Sequence, residues 1–105
     1  DEDILSIGVD ANQNYLHPGE GLTSMLKRVD KAVYDSFMAG ENVEPGLVVM
    51  GVENEGVGYA LDENNADLIT EEMQTAVDEA AAQIASGEIE VHDYTSDETC
   101  PVSLF

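Results

Sequence analysis

The stretch "DILSIGVD", residues 3–10, sets Ile4, Leu5, Ile7 and Val9 in a short, near-continuous apolar run that stops at an acid. A strand open to water on one face alternates apolar and polar side chains. A run without that alternation fits a strand covered on both faces, as in a parallel sheet. The following "ANQNYLHPGEG" is rich in Asn, Gly and Pro and has loop chemistry. Asp10 therefore stands at the carboxyl end of a strand, where open α/β sheets bind ligands. The same aspartate suits a turn cap, and position alone leaves both roles open.

Beyond the loop, residues 24–39 read as the clearest helix. Ser24 is placed to cap it, Leu26, Val29, Val33 and Phe37 recur at helical spacing, and Gly40 supplies the stop. "EPGLVVMGV" (44–52) opens on a Pro-Gly turn and predicts a second strand at Leu47–Met50, and "GVGYAL" (56–61) a third. "DENNADL" leads into a second helix over 70–86, with Thr70 as cap and an acidic first turn that suits the helix dipole. Its apolar face is Met73, Val77, Ala80, Ala81 and Ile84, and Gly87 ends it. "IEV" (89–91) reads as a final strand and residues 93–105 as an irregular tail. Strand, helix, strand, strand, helix, strand is an α/β order with a mostly parallel sheet. Strand 3–9 needs neighbours on both sides and this inventory offers few. The chain is therefore expected to be part of a larger α/β protein.

Its 105 residues suffice for one small domain, and 43% of them are hydrophobic, so charge has not displaced apolar residues. With 23 acidic and three basic residues, the formal net charge is -20. That field repels nucleic acid and anionic membrane surfaces. Adaptation to salt and general solubility both account for it. No apolar run is long enough to span a bilayer. Because the first residue is Asp1, this leaves open whether a signal or anchor belongs to the parent protein. Cys100 has no partner cysteine in the chain, so it is a bystander thiol or bridges to another segment.

No catalytic constellation emerges. His17 and His92 lie far apart without metal-ligand spacing, and no nucleophile elbow or phosphate-binding glycine loop is present. No metal site or cofactor is expected. "DEDI", "DENNAD" and "DETC" lack the spacing of calcium loops and read as solvated surface acid. The basic residues are more telling, because Lys27, Arg28 and Lys31 are the chain's entire cationic complement. In a helix opening at Ser24, Lys27 and Arg28 sit at the end whose dipole disfavours cations. A ligand oxygen or an acid such as Asp10 would offset that placement.

Taken together, "IGVDANQ", "LTSMLKRVDKAVY", "GVGYAL", "ITEEM" and "IASGEIEV", in this order, resemble the basic membrane protein family of ABC-transporter solute-binding proteins. That family includes purine nucleoside receptor lipoproteins. The likeness runs over about residues 3–92, and the pairing of "GVD-x-x-Q" with "LTSM-x-KR" is its most specific part. It implies a type I periplasmic-binding fold of two α/β lobes that close on a solute. This chain, residues 1–105, would supply the C-terminal portion, a partial parallel sheet with flanking helices. Leu22–Ser24 would lie at a crossing between lobes. The resemblance further implies that Asp10 and Lys27 face the cleft and hold a ribose. Arg28 and Lys31 would be helix-surface cations paired with nearby acids. The implied partners are a nucleoside-like small molecule and an ABC permease, on the periplasmic or extracellular face of the membrane, and the implied role is not enzymatic. A ligand-sensing domain of the same fold, in a receptor or transcription regulator, is the alternative.

The charge alone yields a prediction. Repulsion among excess carboxylates weakens as the Debye length shrinks from about 10 Å at 0.1 M salt to about 3 Å at 1 M. The melting temperature of the full-length protein should therefore rise with sodium chloride over that range. A flat or falling trend would show that self-repulsion is not a significant cost.

Overall fold

A computed structural model describes residues 4–102. Its elements are β1 (Ser6–Asp10), a 3-10 turn (Asn14–Leu16), β2 (Gly21–Lys27), α1 (Val29–Ala39), a second 3-10 turn (Gly40–Asn42), β3 (Val57–Tyr59), α2 (Glu71–Ser86) and the single turn α3 (Tyr94–Asp97). The architecture is α/β. A three-stranded sheet runs in the order β1-β2-β3. β1 and β2 are parallel, with Ile7 opposite Thr23 and Asp10 opposite Leu26. β2 and β3 are antiparallel, with Met25 opposite Tyr59 and Lys27 opposite Val57. The sheet is thus mixed rather than mostly parallel.

The largest departure from the sequence reading lies at residues 24–28. The helix expected from Ser24 begins at Val29, and Ser24–Lys27 are the second half of β2. Helical spacing is real from Val29 through Val33 to Phe37, and Leu26 extends it by coincidence. Residues 24–27 are instead held by backbone hydrogen bonds on both edges, to β1 and to β3. A central position in a sheet outweighs the small propensity difference between helix and strand. Leu22–Ser24, expected at a lobe crossing, lie inside this same strand.

Two expected strands are not present. Leu47–Met50 forms no ladder, and Leu47 stands 93% exposed. A strand exists only where a neighbour accepts its hydrogen bonds, and this segment has none among the described residues. "IEV" at 89–91 is likewise unpaired, because its first residue serves the end of α2. The amides of Glu88 and Ile89 both donate to the Gln83 carbonyl, at 2.9 and 3.1 Å. Gly87, at φ 80°, makes the left-handed turn that this termination requires. The start of α2 is as expected, with Thr70 accepting from the Met73 amide at 3.2 Å. The tail contains the turn α3, capped by the Asp93 side chain, and is otherwise irregular over the described residues.

What the fold buries is unusual. Ala60 is the one buried hydrophobic residue among those described, whereas Asn14, Ser24 and Asn65 are buried and polar. Ile4, Ile7, Val33 and Phe37 all face solvent, and neither α1 nor α2 buries a residue. The radius of gyration is 16.6 Å, against about 13 Å for a compact domain of this size. The apolar faces that sheet and helices normally bury against each other stand open.

Hydrophobic burial this small cannot offset the entropy of ordering a chain of this length. The 105 residues expressed alone should melt over a broad, noncooperative range, bind a hydrophobic dye and show weak near-ultraviolet dichroism. A sharp two-state calorimetric transition would contradict this.

Candidate functional site

β1 and β2 run parallel, so their carboxyl ends fall side by side, and each ends in a charged residue. Asp10 pairs in register with Leu26, which places Lys27 one residue further on. Lys27 Nζ lies 2.8 Å from Asp10 Oδ1, with the side chains 54% and 70% exposed. An exposed pair of this kind contributes only about 0–1 kcal/mol to stability. Two opposite charges are therefore held together where a solute can reach both. Asp10 also adopts φ 77°, a left-handed conformation uncommon outside glycine and best tolerated by Asn and Asp. Departures of this kind cluster at functional sites. Lys27 ends a strand and stands just before Arg28, the N-cap of α1, so it lies outside the helix rather than in its first turn.

The other two cations are placed differently. Lys31 pairs with Asp35 one turn along α1 at 2.8 Å, as expected of a helix-surface cation. This hydrogen bond to Asp35 is also what raises the Lys31 pKa. Arg28 does not pair with an acid among the described residues. Its Nη1 donates to the backbone carbonyls of Glu55 at 3.1 Å and Val57 at 3.4 Å.

The spacing that carried the resemblance has a structural cause. A Cβ on Gly8 would stand 2.8 Å from Ser24 Oγ and 3.2 Å from Gln13 Cβ, so β1 approaches β2 and its own loop too closely for a side chain. Gln13 closes that loop by donating from Nε2 to the Val9 carbonyl at 2.9 Å, while its amide donates to Ser24 Oγ at 3.0 Å. Ser24 Oγ in turn donates to Asn14 Oδ1 at 2.8 Å, with both residues buried. The role of Ser24 is thus to bind the 11–20 loop beneath the strand, not to cap a helix.

A second set of amides extends this cluster to the segment after β3. Asn65 Nδ2 donates to the carbonyls of Leu22 and Ala60, each at 2.9 Å, and its Oδ1 accepts from the Asp62 amide at 2.8 Å. Asp62 accepts from Asn12 Nδ2 at 2.6 Å, Asn14 Nδ2 at 3.2 Å and the Asn64 amide at 2.8 Å. These bonds hold the Asp62 carboxyl below its ordinary pKa, the Asn12 amide contributing most. The sequence reading missed this role and took the run around Asp62 as solvated surface acid. Clustered Asn in both "DANQN" and "DENNAD" was the available signal, since each such side chain offers both donors and an acceptor.

Elsewhere the Tyr59 hydroxyl donates to Asp78 Oδ1 at 2.9 Å, tying β3 to α2. Burial, then this bond, raises the Tyr59 pKa. His17 lies 4.0 Å from Glu20, and His92 contacts the Thr99 carbonyl at 3.0 Å and Asp97 at 3.2 Å. Neither histidine approaches the Asp10–Lys27 pair.

No protein-family model matches the chain, and no curated protein matches it. Among solved structures, one described as ABC transporter system solute-binding proteins from Aeropyrum pernix K1 is similar, with a TM-score of 0.67 and 24% identity. The match covers 88% of this chain and 34% of that one, so the chain spans about a third of that neighbour's length. The fold is accordingly that of a segment of a solute-binding protein.

The amide cluster makes a local prediction. Asn65→Ala removes a donor from the Leu22 carbonyl and the acceptor of the Asp62 amide, while the Ala60 carbonyl keeps only its bond from Thr23 Oγ1, and each orphaned group costs about 1–3 kcal/mol. Hydrogen exchange at the Ala60 and Asp62 amides should then quicken roughly 5- to 150-fold, with little change in the middle of α2. Acid should act on the same region. With its pKa lowered, Asp62 stabilises the fold above the ordinary value of 3.8, and this is lost as pH falls through the lower folded-state value. Protection of the Asn64 amide that persists below that range would show that Asp62 is not its anchor.

Proposed function

We propose that this chain is the C-terminal part of a two-lobe solute-binding protein of the basic membrane protein group. The whole protein would capture a nucleoside-like solute between its lobes and present it to an ABC permease. It would act on the outer face of the cell membrane. The observation that carries this reading is the Asp10–Lys27 pair, held at 2.8 Å and open to solvent at the carboxyl ends of parallel strands. The fold shared with a solute-binding protein supports it.

The chemistry suits a ribose. A carboxylate offers two oxygens, and a vicinal diol can donate one hydroxyl to each. Lys27 adds a donor beside the same hydroxyls. The two side chains satisfy each other at 2.8 Å, so binding would exchange a weak exposed ion pair for charge-assisted hydrogen bonds to the solute.

Such bonds contribute about 1.5–3 kcal/mol each, so losing one should weaken binding roughly 10- to 150-fold. Calorimetry on the full-length protein with adenosine, guanosine and inosine provides the test. Asp10→Ala and Lys27→Met should each lose affinity on that scale, and 2′,3′-dideoxyadenosine should bind poorly to the parent. Ribonucleoside affinity retained in Asp10→Ala would sink the assignment.

A further inference from the structure

Arg28 is the chain's single arginine, yet among the described residues it joins no acid, although the chain carries 23 of them. Its guanidinium is used instead on neutral backbone carbonyls of the segment that leads into β3. The backbone of the same residue is tied to that segment too, since the Arg28 amide donates to the Gly56 carbonyl at 2.8 Å. Space has been made for the side chain. A Cβ on Gly58 would stand 2.9 and 3.1 Å from the two guanidinium terminal nitrogens, so the planar group lies against bare backbone. Gly58 pairs with Leu26, so the guanidinium against it lies on the face of Leu26, opposite the one to which alternation within β2 sends Lys27, and the contact secures the strand end without obstructing Lys27.

We propose that Arg28 is a positioning residue that fixes the carboxyl end of β2 onto the 55–58 segment and thereby aims Lys27 at Asp10. The inference rests on reading that pair as the solute contact. The need for a tether follows from the short pairing between β2 and β3, which ends at Lys27 opposite Val57. The Arg28 amide extends it by one bond to the Gly56 carbonyl, and the guanidinium adds two more before the chain turns into α1. The planar fork of arginine can bridge two carbonyls at once, which a lysine ammonium on its flexible stem does poorly.

Carbodiimide coupling reads the geometry directly, because it joins a carboxylate to an amine only when they touch. The two lysines supply their own control, since Lys27–Asp10 and Lys31–Asp35 are both 2.8 Å pairs and only the second is local to a helix. On the full-length protein, peptide mapping by mass spectrometry should find both isopeptides in the parent. Arg28→Met should reduce the Lys27–Asp10 product to background while sparing Lys31–Asp35, and Arg28→Lys should restore it only in part. Gly58→Ala, which keeps the guanidinium but displaces it, should lower the same product and add nothing in the Arg28→Met background. An unchanged ratio of the two products in Arg28→Met overturns the proposal. Should that variant lose both products by misfolding, Gly58→Ala decides, a selective loss supporting the proposal and an unchanged ratio refuting it. Coupling requires no solute, so a parent that binds no nucleoside would refute the functional reading and leave this result standing.

Discussion

The hydrogen-bonded cluster of Asn14, Ser24 and Asn65 is the constraint on which the rest depends. Asn65 reaches the carbonyls of Leu22 in β2 and Ala60 beyond β3, while Ser24 and Asn14 join the middle of β2 to the loop that returns from β1. The central strand β2 is therefore tied by buried amides and a hydroxyl both to the loop that follows β1 and to the segment that follows β3. Buried polar groups of this kind cost several kcal/mol when unpaired and are directional when paired. They define one arrangement of strands where an apolar contact would tolerate several. With Ala60 as the single buried hydrophobe described, little else could enforce the register.

That register brings the charged pair together. Gly8 lets β1 lie close against β2, Gln13 closes the loop behind it, and the strand ends then coincide at Asp10 and Lys27. Residues that look like a ligand-binding motif in the sequence thus divide into two kinds. Gly8, Gln13 and Ser24 build the frame, and Asp10 and Lys27 project from it into solvent. Arg28 belongs with the frame, although it sits beside Lys27 in sequence, because its guanidinium is engaged by the backbone carbonyls of Glu55 and Val57.

The open apolar surface and the acidity pull in opposite directions. Exposed Ile, Val and Phe side chains favour association, and a formal charge of -20 opposes it. An extended apolar segment such as Leu47–Met50 has the composition of a strand and lacks the neighbour that would make it one. Composition determines what a segment can pair with, and the presence of a partner determines whether it does.

The α/β class, α2 with its Thr70 cap and Gly87 terminator, strand β1 and the placement of Asp10 at its end were all legible in the sequence. Each follows from local chemistry: a cap oxygen, a left-handed glycine, or an apolar run bounded by a turn. The nature of residues 24–27 was not legible, because Leu26, Val29, Val33 and Phe37 satisfy a helical period and the competing hydrogen bonds come from residues 6–10 and 57–59, remote in sequence. The same holds for the roles of Arg28 and Asp62. A guanidinium among many acids looks like one half of a salt bridge, and an aspartate in an acidic run looks solvated. Only the folded chain brings backbone carbonyls to the first and a ring of amides to the second, because hydrogen-bond partners are chosen by distance in space.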